Sequence, residues 1–346
     1  MKVNNPTINR LLKRNELYVG AAFLALCLII GMRSPVFFTA NNAVDILKAA
    51  VVNGIMVYAL MLGIIAGGID VSFPAIAVCS MYLTSKLCES TDYMGPVVWP
   101  ILLAVAIGTV LGTINGLIIA LFELPAFIVT LGTSSVFHGL LISLVGAKPV
   151  NRLQPTMEAM SKAEIFRVQG ENYVSILPVT FWFFLLVMIA VYIILRYTML
   201  GRGIYAMGGD RVSAERAGFN IKGITIFVYG FIGLASGLAG IAHTIQARTC
   251  VPTDLMGSEL IIIAAAVLGG TSISGGKGTV FGTTLGLLLI TTARNSLILM
   301  GIPSTAQRAV VGLIIVIGTG ISAYQAMREN NRIPKILEDA PAEGGV

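Results

Sequence analysis

The chain has 346 residues, of which 56% are hydrophobic and only 12% charged, against roughly a quarter charged in an ordinary soluble domain. That deficit excludes a water-facing surface over most of the length and makes lipid the solvent. The net charge of +6 does not indicate nucleic acid, because the basic residues gather at the chain ends and in one connecting segment, the pattern of positive-inside topology.

In chain order, the basic segment 1–16, with Lys2, Arg10, Lys13 and Arg14, leads into the apolar run Leu17 to Met32 without a small-residue cleavage site, so it reads as a first anchoring helix rather than a cleaved signal. Further apolar runs extend over Ala49 to Ala66, Val71 to Leu87, Val97 to Phe122, Leu124 to Gly146 and Ile176 to Leu195. They continue over Ile224 to Ile245, Glu259 to Gly270, Thr279 to Thr292 and Val310 to Met327. The expectation is an all-α membrane protein whose membrane domain, residues 17–327, crosses the bilayer about ten times. Several runs are shorter than the ~20 residues that a straight crossing needs, which predicts short or broken helices. Cys27, Cys79, Cys88 and Cys250 lie in or beside apolar runs without metal-ligand spacing. They read as reduced buried thiols, and no metal site is expected.

Basic residues set the orientation. Those before the first span, and Arg328, Arg332 and Lys335 in the polar tail 328–346, place both termini in the cytoplasm. The loop 196–223 carries Arg196, Arg202, Arg211, Arg216 and Lys222 against Asp210 and Glu215, and the span count also puts it inside. The segment Ala147 to Ser175 has nearly balanced charges and falls outside. An internal repeat is visible as well: Gly108-Thr109-Val110-Leu111-Gly112-Thr113-Ile114-Asn115-Gly116-Leu117 recurs as Gly278-Thr279-Val280-Phe281-Gly282-Thr283-Thr284-Leu285-Gly286-Leu287. Upstream of these, Gly67-Gly68-Ile69-Asp70-Val71-Ser72 matches Gly269-Gly270-Thr271-Ser272-Ile273-Ser274 in the same order. Repeated halves are common in transporters, and a duplication follows, with the relation between the halves left open.

Within the cytoplasmic loop, Gly201, Arg202, Gly208 and Gly209 precede Asp210, which can N-cap a short helix over Arg211 to Ala217, and Gly218 can take the left-handed conformation that ends it. Such a helix would project into the cytoplasm and expose Ala214 and Ala217 beside Glu215 and Arg216. The alternative is an ordinary positive-inside loop. At Gly67 and Gly68 two glycines let the backbone unwind beside Asp70, an acid that is costly at the end of an apolar span unless it meets water, a partner or a cavity. Asp70 or Ser72 can cap a new helix there, and the same residues can line a pathway; the two readings are compatible.

These stretches resemble the ribose, xylose and galactose permeases of bacterial ATP-binding-cassette importers. The likeness also covers Pro125-Ala126-Phe127-Ile128-Val129-Thr130-Leu131-Gly132-Thr133 and Leu268-Gly269-Gly270-Thr271-Ser272-Ile273-Ser274-Gly275-Gly276-Lys277-Gly278-Thr279, and so most of the chain. The chain departs from that pattern with Asp210 where Asn is frequent. It has a single Ala217 beside Glu215 and Arg216 where an Ala pair is usual, and Phe73-Pro74 where Val-Gly follows the Ser. The resemblance implies a multi-pass protein of the bacterial cytoplasmic (inner) membrane whose loop 196–223 docks on a separate ATPase. It also implies a sugar-binding protein on the outer side that sets much of the specificity. Two ATPases need two coupling loops, so a second permease chain is expected, identical or paralogous. A sugar needs a polar lining, for which Asn115 and the face formed by Thr130, Ser134 and His138 are candidates; interhelical hydrogen bonding is the other reading of each.

No catalytic residues are expected. Lys277 is followed by Gly278 rather than Ser or Thr, so the glycine-rich stretch before it is not a phosphate loop, and neither HExxH nor GxSxG occurs. The chain therefore needs no cofactor of its own, ATP being bound by the partner. The rival reading is an ion-coupled secondary transporter, against which the sparse intramembrane acids Asp70, Glu123 and Glu259 weigh.

Overall fold

The computed structural model describes residues 15–170 and 173–297, with scattered positions between 301 and 320. Lys2, Arg10, Lys13, Arg14, Arg328, Arg332, Lys335 and most of the span expected over Val310 to Met327 lie outside the described residues.

Helix α1 (Asn15–Arg33) has Glu16 in its first turn and Arg33 in its last, each at the pole of the helix dipole that favours it. A short turn, Pro35–Phe38, leads to Thr39, whose hydroxyl accepts the Asn42 N–H and caps α2 (Ala40–Ile65). At 1.5 Å per residue the 26 residues of α2 span roughly 39 Å, longer than the hydrocarbon core. Helices α3 (Phe73–Ser90), α4 (Val98–Phe122) and α5 (Ala126–Leu144) follow. Glu123 ends α4 in the left-handed region with φ 53°, and Pro125 precedes α5.

The segment read from sequence as a loop, 147–175, holds α6 (Pro155–Lys162) and an antiparallel hairpin of β1 (Glu164–Gln169) and β2 (Val174–Pro178). The span expected from Ile176 therefore begins later, as α7 (Phe181–Tyr197), because residues 174–178 are taken up by the hairpin. Helix α8 (Met199–Gly209) leaves α7 at a 77° bend, and α9 (Arg211–Arg216) follows at once. Most of the expected loop 196–223 is thus helical. The remaining helices are α10 (Ile221–Ala247), α11 (Glu259–Leu268) and α12 (Val280–Ser296). Among the described residues five helices are long and apolar enough to cross a membrane, or six when α7 and α8 count as one bent span. The ten residues of α11 cover roughly 15 Å, half of a hydrocarbon core. The chain is a mostly helical membrane protein, with one small hairpin among the described residues.

The interior is built on α2 and α10, which are mostly buried. Helix α10 crosses α4 along a seam of small residues. A Cβ at Gly108 would lie 2.3 Å from the Gly233 carbonyl oxygen, one at Gly112 2.3 Å from that of Tyr229, and one at Gly237 2.3 Å from that of Ala104. Spacing by four puts Ala104, Gly108, Gly112 and Gly116 on one buried stripe, and the absent side chains let the two backbones touch. The similar stretch 278–287 makes a close approach to a different partner, since a Cβ at Gly286 would meet the Ala265 carbonyl oxygen of α11 at 2.1 Å.

Contacts sort the connections into two ends. At one, Glu16 accepts the Thr279 hydroxyl at 2.5 Å, Glu123 pairs with Arg211, and the turn after α2 meets α8. At the other, Asn41 donates to the Val168 and Tyr173 carbonyls of the hairpin, and Val150 bridges to Cys250. The start of α1 and the α8–α9 segment therefore share one end of the bundle.

Candidate functional site

Helix α9 is defined by its caps. The Asp210 carboxylate accepts the Val212 and Ser213 N–H groups at 3.2 and 3.3 Å and also the Ser213 hydroxyl. Those bonds, the Ser213 hydroxyl first, hold the Asp210 carboxyl below the ordinary carboxylate range. At the other terminus Gly218 has φ +87°, and the Phe219 N–H returns to the Ala214 carbonyl. Asp210 closes α8 and opens α9 with no residue between.

One expectation is corrected. Ala214 is buried, because the chain after Gly218 folds back across its side of α9 and carries the N–H of Phe219 to its carbonyl. The exposed surface consists of Arg211, Val212, Ser213, Glu215, Arg216, Ala217 and Gly218. Upstream, Arg202 is exposed, but Gly201 is buried where a Cβ would lie 2.2 Å from the Ile194 carbonyl oxygen, so this glycine sets the sharp bend from α7 into α8. Gly209 is open, whereas Gly208 is pressed against the end of α2.

The residues at the end of α2 form a second assembly. Gly67 takes φ +87°, and the Gly68 N–H returns to the Gly63 carbonyl at 2.9 Å, a glycine-terminated helix end. Helix α11 ends alike, with Gly270 at φ +91° and Thr271 N–H on the Ala266 carbonyl at 3.1 Å. The geometric counterpart of Gly67 is therefore Gly270, one residue away from the register of the sequence match. Beyond the turn, Asp70 and Ser72 are fully buried. Asp70 Oδ1 accepts both the Ser72 N–H and the Ser72 hydroxyl at 2.6 Å, and Asn115 Nδ2 donates to Ser72 Oγ at 2.8 Å. Thr130 Oγ1 accepts the Val71 N–H at 3.2 Å. The link before α3, together with α4 and α5, thus brings Asp70, Ser72, Asn115 and Thr130 together. Ser134 is buried one turn further along α5, and His138 is engaged elsewhere, its Nε2 3.1 Å from the Pro252 carbonyl oxygen.

Tyr229 of α10 was not singled out by sequence. A Cβ at Gly68 would lie 2.4 Å from its hydroxyl, so the ring covers the turn. That hydroxyl, Asp70 Oδ2 and Asn115 Oδ1 are buried and have no hydrogen-bond partner among the described residues. An unpaired buried polar group costs about 1–3 kcal/mol, so one donor-capable and two acceptor oxygens give this cluster capacity for a polar guest such as water or a hydroxyl. A cleft of about 900 Å³ opens separately between α1, α7, α8 and α12, lined by Tyr192, Arg196, Tyr205 and Thr279 rather than by these residues. Among the described residues no group of three or more His, Cys, Asp or Glu could hold a metal ion.

Comparison with known proteins gives this geometry its context. The family described as branched-chain amino acid transport system / permease component matches residues 42–318. The ribose import permease protein RbsC of Haemophilus influenzae is 33% identical over 324 residues, 93% of this chain and 97% of the relative. RbsC of Bacillus subtilis is 35% identical over 292 residues, covering 84% and 88%. The D-allose transport system permease protein AlsC of Escherichia coli is 31% identical over 289 residues, covering 83% and 85%. No solved structure matches. With most of its length matched and its apolar helices packed through glycine seams, the chain belongs to this family of transport permeases.

Proposed function

We propose that the chain is the membrane permease of an ATP-binding-cassette importer for a monosaccharide or similar small polyol. The relatives named for ribose and D-allose import support the substrate class, and the buried hydroxyl, amide and carboxyl groups around Asp70 suit a hydroxylated solute. The ATPase is a separate cytoplasmic subunit that holds the nucleotide, and a sugar-binding protein delivers the solute to the hairpin end. Both termini and α9 lie on the cytoplasmic side, and about ten crossings in two duplicated halves complete the domain. Two such chains pair, identical or paralogous, one for each ATPase. Transport follows from nucleotide-driven shifts between inward- and outward-facing populations.

The observation that carries this reading is α9 itself. It is a one-to-two-turn helix, capped at both ends and standing at the bundle end with Val212, Glu215, Arg216 and Ala217 exposed. A solvated connecting loop requires neither the cap nor the left-handed ending. The test is purification of the chain with its ATPase and uptake into proteoliposomes. Ala217→Trp blocks close approach and Gly218→Val penalises the left-handed ending by roughly 1–2 kcal/mol. Both should insert normally, lose ATPase association and lose ATP-driven uptake. Uptake driven by a sodium or proton gradient without any ATPase would instead establish the secondary-transporter reading.

A further inference from the structure

Gly208 of α8, Ile65 and Gly67 at the end of α2, and Gly275 and Gly276 in the connection between α11 and α12 meet backbone to backbone. The Gly276 N–H donates to the Ile65 carbonyl oxygen at 2.8 Å. That carbonyl is one of the four that an α-helix leaves unpaired at its C-terminus, so a segment remote in sequence completes the end of α2. A Cβ at Gly208 would lie 1.7 Å from the same oxygen and 2.6 Å from the Gly276 nitrogen. One at Gly275, itself at φ +83°, would lie 2.5 Å from the Gly208 carbonyl oxygen and 3.0 Å from the Gly67 Cα. The Tyr205 hydroxyl, one turn before Gly208, donates to the Gly278 carbonyl at 2.7 Å.

We infer that this glycine junction is the mechanical link by which motion of α8–α9 reaches the turn at Gly67 and the buried cluster at Asp70. The inference rests on the reading that an ATPase drives α9. Asp210 ends one helix and begins the next, so displacement of α9 enters α8 without slack. Where side chains separate two elements, rotamer changes absorb part of a displacement. Backbones in direct contact lack that compliance, and close-packed protein interiors transmit strain. Movement of Gly208 therefore shifts Ile65 and Gly67, and Asp70 lies only three residues beyond. Gly208, Gly275 and Tyr205 act as positioning residues for transport, without touching the ATPase or the solute.

Reconstituted complexes measure this directly as ATP hydrolysed per sugar imported. Gly208→Ala wedges a methyl into the junction; the complex should still assemble and hydrolyse ATP, while uptake falls about tenfold and the ratio rises accordingly. Tyr205→Phe, which removes one hydroxyl and cannot prevent folding by steric clash, should raise the ratio about twofold to threefold. Gly139→Ala on α5, where an added Cβ meets nothing within 4 Å, is the control and should leave the ratio unchanged. An unchanged ratio in both Gly208→Ala and Tyr205→Phe, or a loss of uptake that merely follows loss of ATPase binding, overturns the inference. If Ala217→Trp releases the ATPase while Gly208→Ala couples normally, only the junction is wrong. If Ala217→Trp leaves the ATPase bound, the docking assignment of α9 is wrong instead.

Discussion

Two regions of the molecule are built from glycine for opposite purposes. Along the α4–α10 seam, Gly108, Gly112, Gly233 and Gly237 lie within unbroken helices and let two long backbones touch over several turns. At the α2–α8 junction, Gly67, Gly208, Gly275 and Gly276 lie at helix ends and turns, three of them with positive φ. A seam of repeated contacts resists any relative movement of its helices. A junction of helix ends joins short segments of three elements through a few close backbone contacts, so displacement of one end is passed to the others. The comparison teaches that glycine position within an element, rather than glycine content, separates packing from transmission.

The largest effect should come from breaking the seam. Gly112→Leu would drive a side chain into the Tyr229 carbonyl and the Gly233 Cα, which an added Cβ already meets at 2.3 and 2.7 Å. Overpacking of well-packed cores costs about 1–3 kcal/mol, and more when the obstacle is backbone. The yield of monodisperse, detergent-solubilised protein should fall about tenfold or more, whereas Gly139→Leu, in open space, should keep it within about twofold. Comparable losses from both would mean that the seam has no special packing role.

This contrast also explains what the sequence made legible. Local chemistry was readable: Asp210 and Gly218 bracket α9 because a carboxylate at the N-cap and a glycine at the left-handed position are properties of the segment itself. The long apolar runs marked the long helices for the same reason. Helix α8 was not readable, since Gly201, Gly203, Gly208 and Gly209 depress helix propensity. Three of those glycines make room for close neighbours: Gly201 for Ile194 across the bend, Gly203 for Ile224 and Phe219, and Gly208 for Ile65, which is remote in sequence. The hairpin was hidden because its second strand, residues 174–178, runs into the apolar run expected from Ile176, and the burial of Ala214 by the return of Phe219. Asp70 was visible as an odd acid, but Tyr229 looked like an ordinary aromatic of an apolar span until the fold laid its hydroxyl over Gly68.

A middle-sized effect tests whether the junction needs a rigid lever at its outer end. The folded-state pKa of Asp210 is depressed, so its contribution to α9 is present above the ordinary carboxyl value of about 3.9 and is lost as pH falls through the lower folded value. Asp210→Ala removes the cap at every pH, whereas Asp210→Asn keeps a capping oxygen and removes the titration. ATPase association should weaken about threefold to tenfold in Asp210→Ala and stay within about twofold of the parent in Asp210→Asn. Equal weakening in both variants would assign the effect to charge rather than to the cap.

The smallest effect concerns the other tether of α9. Arg211 Nη2 lies 3.5 Å from Glu123 Oε1, with side-chain exposures of 49% and 64%, so the pair is largely solvated. Exposed pairs of this kind contribute about 0–1 kcal/mol and weaken with salt. Glu123 already holds its own backbone at φ 53°, and neither residue shares the close backbone approach seen at Gly208. Glu123→Gln, which preserves side-chain shape, should therefore change uptake and ATP hydrolysed per sugar by less than about twofold, with the difference vanishing at high ionic strength. An effect as large as that of Gly208→Ala would move the link between α9 and the bundle from the glycine junction to this ion pair. The contrast between the two glycine regions would then describe packing alone.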